Sequence, residues 1–405
     1  MENELDKIAE SYVKLVLAIG SYDKDYVDAF YGPTRLQEEI KNQQPTLQQI
    51  KIKAQELLEQ LSAINATIVD ELLKLRHKYL TKQISSLISH VSSLLGNRLS
   101  FDEEAYAYYD TKPPRLSEEF FRELLNKLDT LIPGKEPLPL RFNKYHDLFI
   151  IPRGSIDKVF TIAIQECKTR TKKYIDLPTN ETFHLELVNN KPWSGYNWYK
   201  GNCESLIQIN TDLPIFIERA IDLSAHEGYP GHHVYNCLLE TELVHKRGWI
   251  EFTVYALFSP QSLIAEGTAN YGIEVVFPDN DRLEFERDVL FPLAGIDKSL
   301  AEDFQQVQII LSKLSYAEIE AARYFLDGIF NAKQTIDWLM EYTLISFEKS
   351  KQRVNFFEKY RSYVINYSVG KDKISNYIEH QLGQNTNTEA RWEQFKKLLV
   401  LPEIA

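Results

Sequence analysis

Residues 68–95, IVDELLKLRHKYLTKQISSLISHVSSLL, carry Leu and Ile at three- and four-residue intervals. That spacing gathers the apolar side chains on one face of an α-helix, a period that a strand cannot match. Leu47–Leu61 repeats the pattern. Two starts carry capping boxes, Thr46 with Gln49 and Ser100 with Glu103, in which side chain and backbone satisfy each other's open hydrogen bonds. Residues 1–130 are therefore expected to be helical.

Further along, Ile132–Leu140 (IPGKEPLPL) is rich in Pro and Gly and reads as a loop or hinge. Asp147–Ile151 (DLFII) is a short strand candidate, followed by a helical run through Lys173. Residues 183–189 (FHLELVN) and 205–210 (SLIQIN) alternate as half-buried strands do. Between them KPWSGYNWYKGN concentrates Trp193, Tyr196, Trp198 and Tyr199, which reads as the long aromatic tip of a β-hairpin. From Pro214 the helical period returns almost to the end, with Ser259-Pro260 and Ser315 with Glu318 marking starts.

Composition narrows the function. A chain of 405 residues can bury a large core, and its 44% hydrophobic and 26% charged content is that of a globular protein. A net charge of −12 argues against a nucleic-acid partner, whose phosphates need a basic surface. No stretch approaches ~18 uninterrupted apolar residues, so no membrane span is expected. The opening MENELDKIAESYVKL has neither a basic leader nor an apolar centre, so no secretory signal is expected. Cys167, Cys203 and Cys237, odd in number and widely spaced, read as reduced thiols in the cytoplasm.

The chemistry concentrates in Asp222–Asn236, DLSAHEGYPGHHVYN. A zinc hydrolase needs two neutral imidazoles, a third ligand, and a carboxylate base beside the attacking water. His226, Glu227, His232 and His233 place three imidazoles and a carboxylate within eight residues, in a chain with 9 His. On a straight helix six or seven residues span roughly 9–10 Å, an awkward reach for two ligands of one ion. Gly228, Pro230 and Gly231 stand between them, where a local bulge would shorten that distance. Spacing alone leaves His232 and His233 open. A third ligand is expected from Ser259–Val276, which offers Glu266 and Glu274, roughly 80° apart around a helix.

HEGYPGHH followed by AEGTANY resembles the bacterial "domain of unknown function 885" family, relatives of helical zinc carboxypeptidases. SYDKDYVDAFYGP, LSFDEEA, PWSGYNWYKGN, SLIQINTDLP and RSYVINYSVG extend the resemblance over most of the chain. It implies His226, His232 and Glu266 as ligands of one zinc ion and Glu227 as the base, with His233 a neighbour able to bond substrate. The chain departs from the family where many relatives carry Pro-Gly-Gln, reading Val369-Gly370-Lys371.

These features together lead to an expected zinc-dependent metallopeptidase, carboxypeptidase-like, acting on small peptides. A tetrahedral oxyanion would need a donor, for which Arg361, Tyr363 and Tyr367 are candidates. The hairpin could pair with an extended peptide, Trp193, Tyr196 and Trp198 shaping the wall. The fold expected is mainly α, a large helical protein with a small β-hairpin or sheet bordering a zinc-containing cleft. An N-terminal helical lobe (1–175) and a catalytic helical lobe (176–405) would form it, or one continuous domain. Competing readings are a zinc-containing, non-catalytic peptide-binding protein and a di-iron carboxylate oxidase using Glu181 with His184 and Glu242 with His245. A serine hydrolase built on Ser155 and Lys158 lacks the companion motifs.

Overall fold

The computed structural model describes residues 2–65, 68–191, 195–385 and 387–401. Its first part is helical: α1 (Glu2–Ile19), α2 (Thr34–Gln43), α3 (Leu47–Ile64), α4 (Glu71–Leu94), α5 (Phe101–Tyr109), α6 (Glu118–Leu131), α7 (Leu138–His146) and α8 (Ile156–Thr171). One strand, β1 (Val27–Phe30), interrupts it. Then come β2 (Thr182–Val188), β3 (Gly195–Gly201), β4 (Glu204–Asn210), α9 (Glu218–Leu223), α10 (His232–Leu239), β5 (Val254–Ala256) and α11 (Pro260–Val276). Among the described residues eight more α-helices follow: α12 (Asp281–Phe285), α13 (Phe291–Ala294), α14 (Ala301–Leu314), α15 (Tyr316–Leu326), α16 (Ala332–Tyr342), α17 (Phe347–Tyr360), α18 (Ile365–Leu382) and α19 (Thr388–Val400). The protein is mainly α.

The capping logic operates as read at two starts. Thr46 and Gln49 exchange bonds at α3, and at α5 the Ser100 N–H and hydroxyl both donate to Glu103. At Ser315 it does not. The Ser315 hydroxyl turns back to the Ser312 carbonyl and Glu318 pairs with Arg353, because Ser315 itself keeps helical backbone angles where α14 runs into α15, and not the extended ones of a capping residue. Asp147–Ile151 is likewise no strand. It forms a 3₁₀ turn (Asp147–Phe149) and a single bridge from Ile150 to Phe216, cut short by Pro152, which has no N–H for a ladder.

The expected hairpin is a three-stranded sheet in the order β2-β4-β3. FHLELVN and SLIQIN pair parallel, and the aromatic stretch thought to be the tip is itself β3, antiparallel to β4. Tyr196 and Trp198 alternate with Asn197 and Tyr199 on that strand, so its aromatic residues serve two faces. Trp193 lies outside the described residues. A second sheet pairs β1 with β5, bringing Asp28 close to the second half of the chain.

One contiguous apolar core runs from Leu5 to Leu399. Buried polar contacts across residue 175 reinforce it: Arg76 forks onto Glu251 at 2.6 and 3.0 Å, and Tyr79 donates to Gln261 at 2.7 Å. No helix among the described residues is long and apolar enough to cross a membrane.

Candidate metal centre

α9 runs on into a π-type turn, Ser224–Gly228, which carries His226 and Glu227 and in which the Tyr229 N–H reaches back five residues to the Ser224 carbonyl. The Tyr229–Pro230 peptide is cis. The Gly231 N–H then bonds the Ala225 carbonyl at 2.9 Å and α10 starts at His232. Backbone doubles back on backbone here. A Cβ on Gly231 would stand 1.9 Å from the His226 carbonyl oxygen, so only glycine fits.

This fold-back brings His226 Nε2 within 3.1 Å of His232 Nε2. Glu266, from the middle of α11, sets Oε2 at 3.3 Å from the first and 3.8 Å from the second. The three ligand atoms form the one potential metal-holding group among the described residues. Two ligand nitrogens about 2.05 Å from a tetrahedral zinc stand about 3.3 Å apart, so the pair already has the span of shared coordination. Glu266 Oε2 is buried and accepts no hydrogen bond among the described residues. A buried carboxylate oxygen left open toward two imidazole nitrogens fits a divalent cation.

The surroundings aim these ligands. Asn270, one turn beyond Glu266 on α11, accepts from His226 Nδ1 at 3.1 Å, while its amide nitrogen donates to the Tyr367 carbonyl at 3.2 Å. The second contact fixes the amide's orientation, and the first leaves Nε2 of His226 as the lone-pair nitrogen. The Tyr363 hydroxyl donates to Glu266 Oε1 at 2.9 Å. Burial first, then the Glu266 charge, push the Tyr363 pKa well up and keep it a neutral donor. Burial works against a charged imidazole at His232, yet Glu266, Glu227 and Asp28 outweigh it and push its pKa up to about 9. A field that holds a proton so firmly is one that attracts a cation.

Glu227 is buried beside the ligands. Its carbonyl accepts from Asn197 of β3 at 2.7 Å, and its Oε1 would lie 3.5 Å from a Cβ on Gly195. β3 is thus the wall behind the carboxylate. Tyr196 of the same strand donates to Asp28 of β1. Burial, with the Glu266 and Glu227 charges adding, pushes the Asp28 pKa up to about 6 against the pull of Tyr196 and His232.

The other expected residues separate. His233 is fully buried, and its two nitrogens meet Ser205 Oγ at 2.8 Å and Glu181 Oε2 at 3.0 Å, a network distinct from the cluster. Arg361 is spent on buried Glu104, at 2.5 Å, which also takes the Ser362 N–H and hydroxyl. Tyr367 stays with the cluster, its ring 5.9 Å from that of Tyr363. Glu274 is half exposed and bonds Lys371 at 2.5 Å. Of the di-iron candidates, Glu181 pairs with Lys168 and His233 while His184 is exposed, and Glu242 bonds Lys246. Asn270 and Asp28 went unread in the sequence. Asn270 had a signal, its four-residue offset from Glu266 on one helix face; Asp28 had none, because only the β1–β5 pairing carries it there.

No family model and no curated protein matches the chain. Among solved structures, "the putative lipoprotein from Colwellia psychrerythraea" shares the fold at 13% identity, with a TM-score of 0.51 over 90% of this chain. The chain spans 63% of that protein's length. The M32 carboxypeptidase from Deinococcus radiodurans R1 superposes with a TM-score of 0.49 at 10% identity, over 99% of this chain and 90% of its own. At such identities nothing about chemistry transfers.

Proposed function

We propose that this chain is a zinc-dependent metallopeptidase, carboxypeptidase-like, that hydrolyses amide bonds of small peptides in the cytoplasm. The observation that carries the reading is the meeting of His226 Nε2, His232 Nε2 and Glu266 Oε2 beside the buried carboxylate of Glu227. The resemblance of HEGYPGHH and AEGTANY to the 885 family supplies the reaction class.

His226, His232 and Glu266 would hold the ion. The chemistry such an ion supplies when bound is Lewis acidity toward water and a carbonyl oxygen. Glu227 takes a proton from the attacking water on its carboxylate and later returns it to the leaving amine. Asn197 anchors the backbone of that base, so the carboxylate need not search for its position. Tyr363, whose hydroxyl reaches Glu266, and Tyr367, whose ring lies beside it, are the phenols at hand for a developing oxyanion. The outer edge of β3, an edge strand, suits pairing with an extended peptide.

The test is metal analysis together with a hydrolysis screen over short peptides, free and blocked at each end, with a Glu227→Gln control. One zinc per chain, chelator-sensitive turnover restored by zinc, and a several-orders-of-magnitude loss in Glu227→Gln are expected. Zinc bound without turnover would leave a peptide-binding protein, and iron with a visible chromophore would favour the oxidase.

A further inference from the structure

Cys203 and Cys237, remote in sequence, meet where the sheet rests on the helix that follows His232. Cys203 occupies the β3–β4 turn, in which Asn202 and Cys203 both have positive φ, 55° and 56°, the geometry of a two-residue hairpin. The turn is drawn down onto the helix. Its Cys203 N–H meets Glu240 at 3.2 Å, and the Asn202 N–H meets the same carboxylate at 2.9 Å. Tyr199 also donates to Glu240.

The Cys203 side chain therefore points inward. It packs with Cys237 and Tyr199 in a small buried cluster set apart from the main core. Cys203 Sγ lies 3.8 Å from Thr241 Oγ1. Cys237 and Thr241 stand four residues apart on one helix face, so that face meets the Cys203 thiol at both positions. Cys237 Sγ is in turn 3.8 Å from His233 Nε2. All three cysteines are free thiols, and Cys167 sits in the main core on α8.

We propose that Cys203 and Cys237 are an oxidation site, at which a small peroxide joins them in a reversible disulfide that ties the β3–β4 turn to α10. Cys203 sulfur attacks one peroxide oxygen, forming an S–O bond as the O–O bond breaks. The departing hydroxide leaves as water after taking up the Cys203 proton. Cys237 sulfur then attacks Cys203 sulfur, the S–S bond forming as the S–O bond breaks, and the second oxygen leaves as water with the Cys237 proton. Two thiols supply the two electrons that reduce one peroxide. The order of attack follows the environment. With Cys237 beside it, the Cys203 thiol has its pKa held down at about 7 despite burial, whereas that of Cys237 is pushed up by Cys203 and by burial.

The bond would join two walls of the candidate metal centre. β3 carries Asn197 against the Glu227 backbone, and α10 opens with His232. The thiol chemistry itself does not depend on the metal or on turnover, so either proposal can fail alone.

The full chain, reduced and then treated with hydrogen peroxide, is to be followed by thiol counting, intact mass and peptide mapping. Expected are a fall from three thiols to one, a mass loss of about 2 Da, and a linked peptide pair containing Cys203 and Cys237. Dithiothreitol should reverse all three. Cys167→Ser should leave the result unchanged, and Cys203→Ser and Cys237→Ser should each abolish the mass loss. Oxygen added to Cys203 without a cross-link, a link through Cys167 or between chains, or three unreacted thiols would each overturn the proposal. The wild-type map decides it even where a variant fails to fold.

Discussion

Gly267 and Gly370 face each other with no room for a side chain on either. A Cβ on Gly267 would stand 2.5 Å from the Gly370 carbonyl oxygen, and one on Gly370 would stand 2.7 Å from that of Leu263. This contact is the crossing of α11, which carries Glu266 and Asn270, with α18. Tyr363 and Tyr367 lie at the start of that second segment. The crossing therefore sets how far the two tyrosines stand from the carboxylate.

Gly267→Ala or Gly370→Ala should force the helices apart. Overpacking of this kind costs about 1–3 kcal/mol. Urea unfolding should show a lower midpoint at unchanged slope, and zinc affinity should fall with it. An unchanged midpoint would mean that the helices slide freely and that the crossing does not set the site.

Tyr363→Phe isolates one contact. It removes the hydroxyl that donates to Glu266 Oε1. Loss of such a support to a ligand lowers metal affinity by about 10–100-fold. Competition against a chromophoric chelator measures it. If affinity holds while kcat falls, Tyr363 acts on the substrate and not on the ligand.

What sequence conveyed and what it withheld follow from the range of the interactions. Helices such as α3 were legible because their apolar spacing and the Thr46–Gln49 capping box are local. The shortening between His226 and His232 was legible as a need, since Gly228, Pro230 and Gly231 stood where it had to occur. Strand order was not. Alternation identifies strands but is silent on partners, so the parallel β2–β4 pairing and the place of β3 escaped. Arg361 failed for the same reason: a basic residue near a tyrosine pair looks like an oxyanion donor until Glu104, far away in sequence, claims it.

The network beside the site makes a separate, acid-side prediction. Burial would raise the Glu181 pKa, yet the bonds from His233, Lys168 and Tyr229 bring it down to about 2. Since the folded chain binds this proton more weakly than the unfolded one, the contribution is present above the ordinary Glu value and is lost as pH falls toward 2. Removing one partner of a buried pair costs about 3 kcal/mol or more. Glu181→Gln should thus be much less stable than wild type at pH 7, and the two should converge in acid. A gap that persists at low pH would show that Glu181 acts through packing and not through charge.

Metal removal should reverse the pH dependence of stability at His232. In the metal-free chain its pKa is pushed up to about 9, burial being outweighed by Glu266, Glu227 and Asp28, from an ordinary value of 6.5. The folded protein therefore holds a proton that the unfolded chain releases. That stabilisation is complete below the unfolded value of 6.5 and is lost as pH climbs through 9, a change on the order of 3 kcal/mol. Zinc needs the same nitrogen deprotonated, so its stabilisation should grow over that interval. Thermal unfolding of chelated and zinc-loaded protein from pH 6.5 to 9 should give diverging curves, the chelated one falling. His232→Gln should flatten the fall and close the gap. Parallel curves would mean that zinc, if bound at all, does not sit on His232.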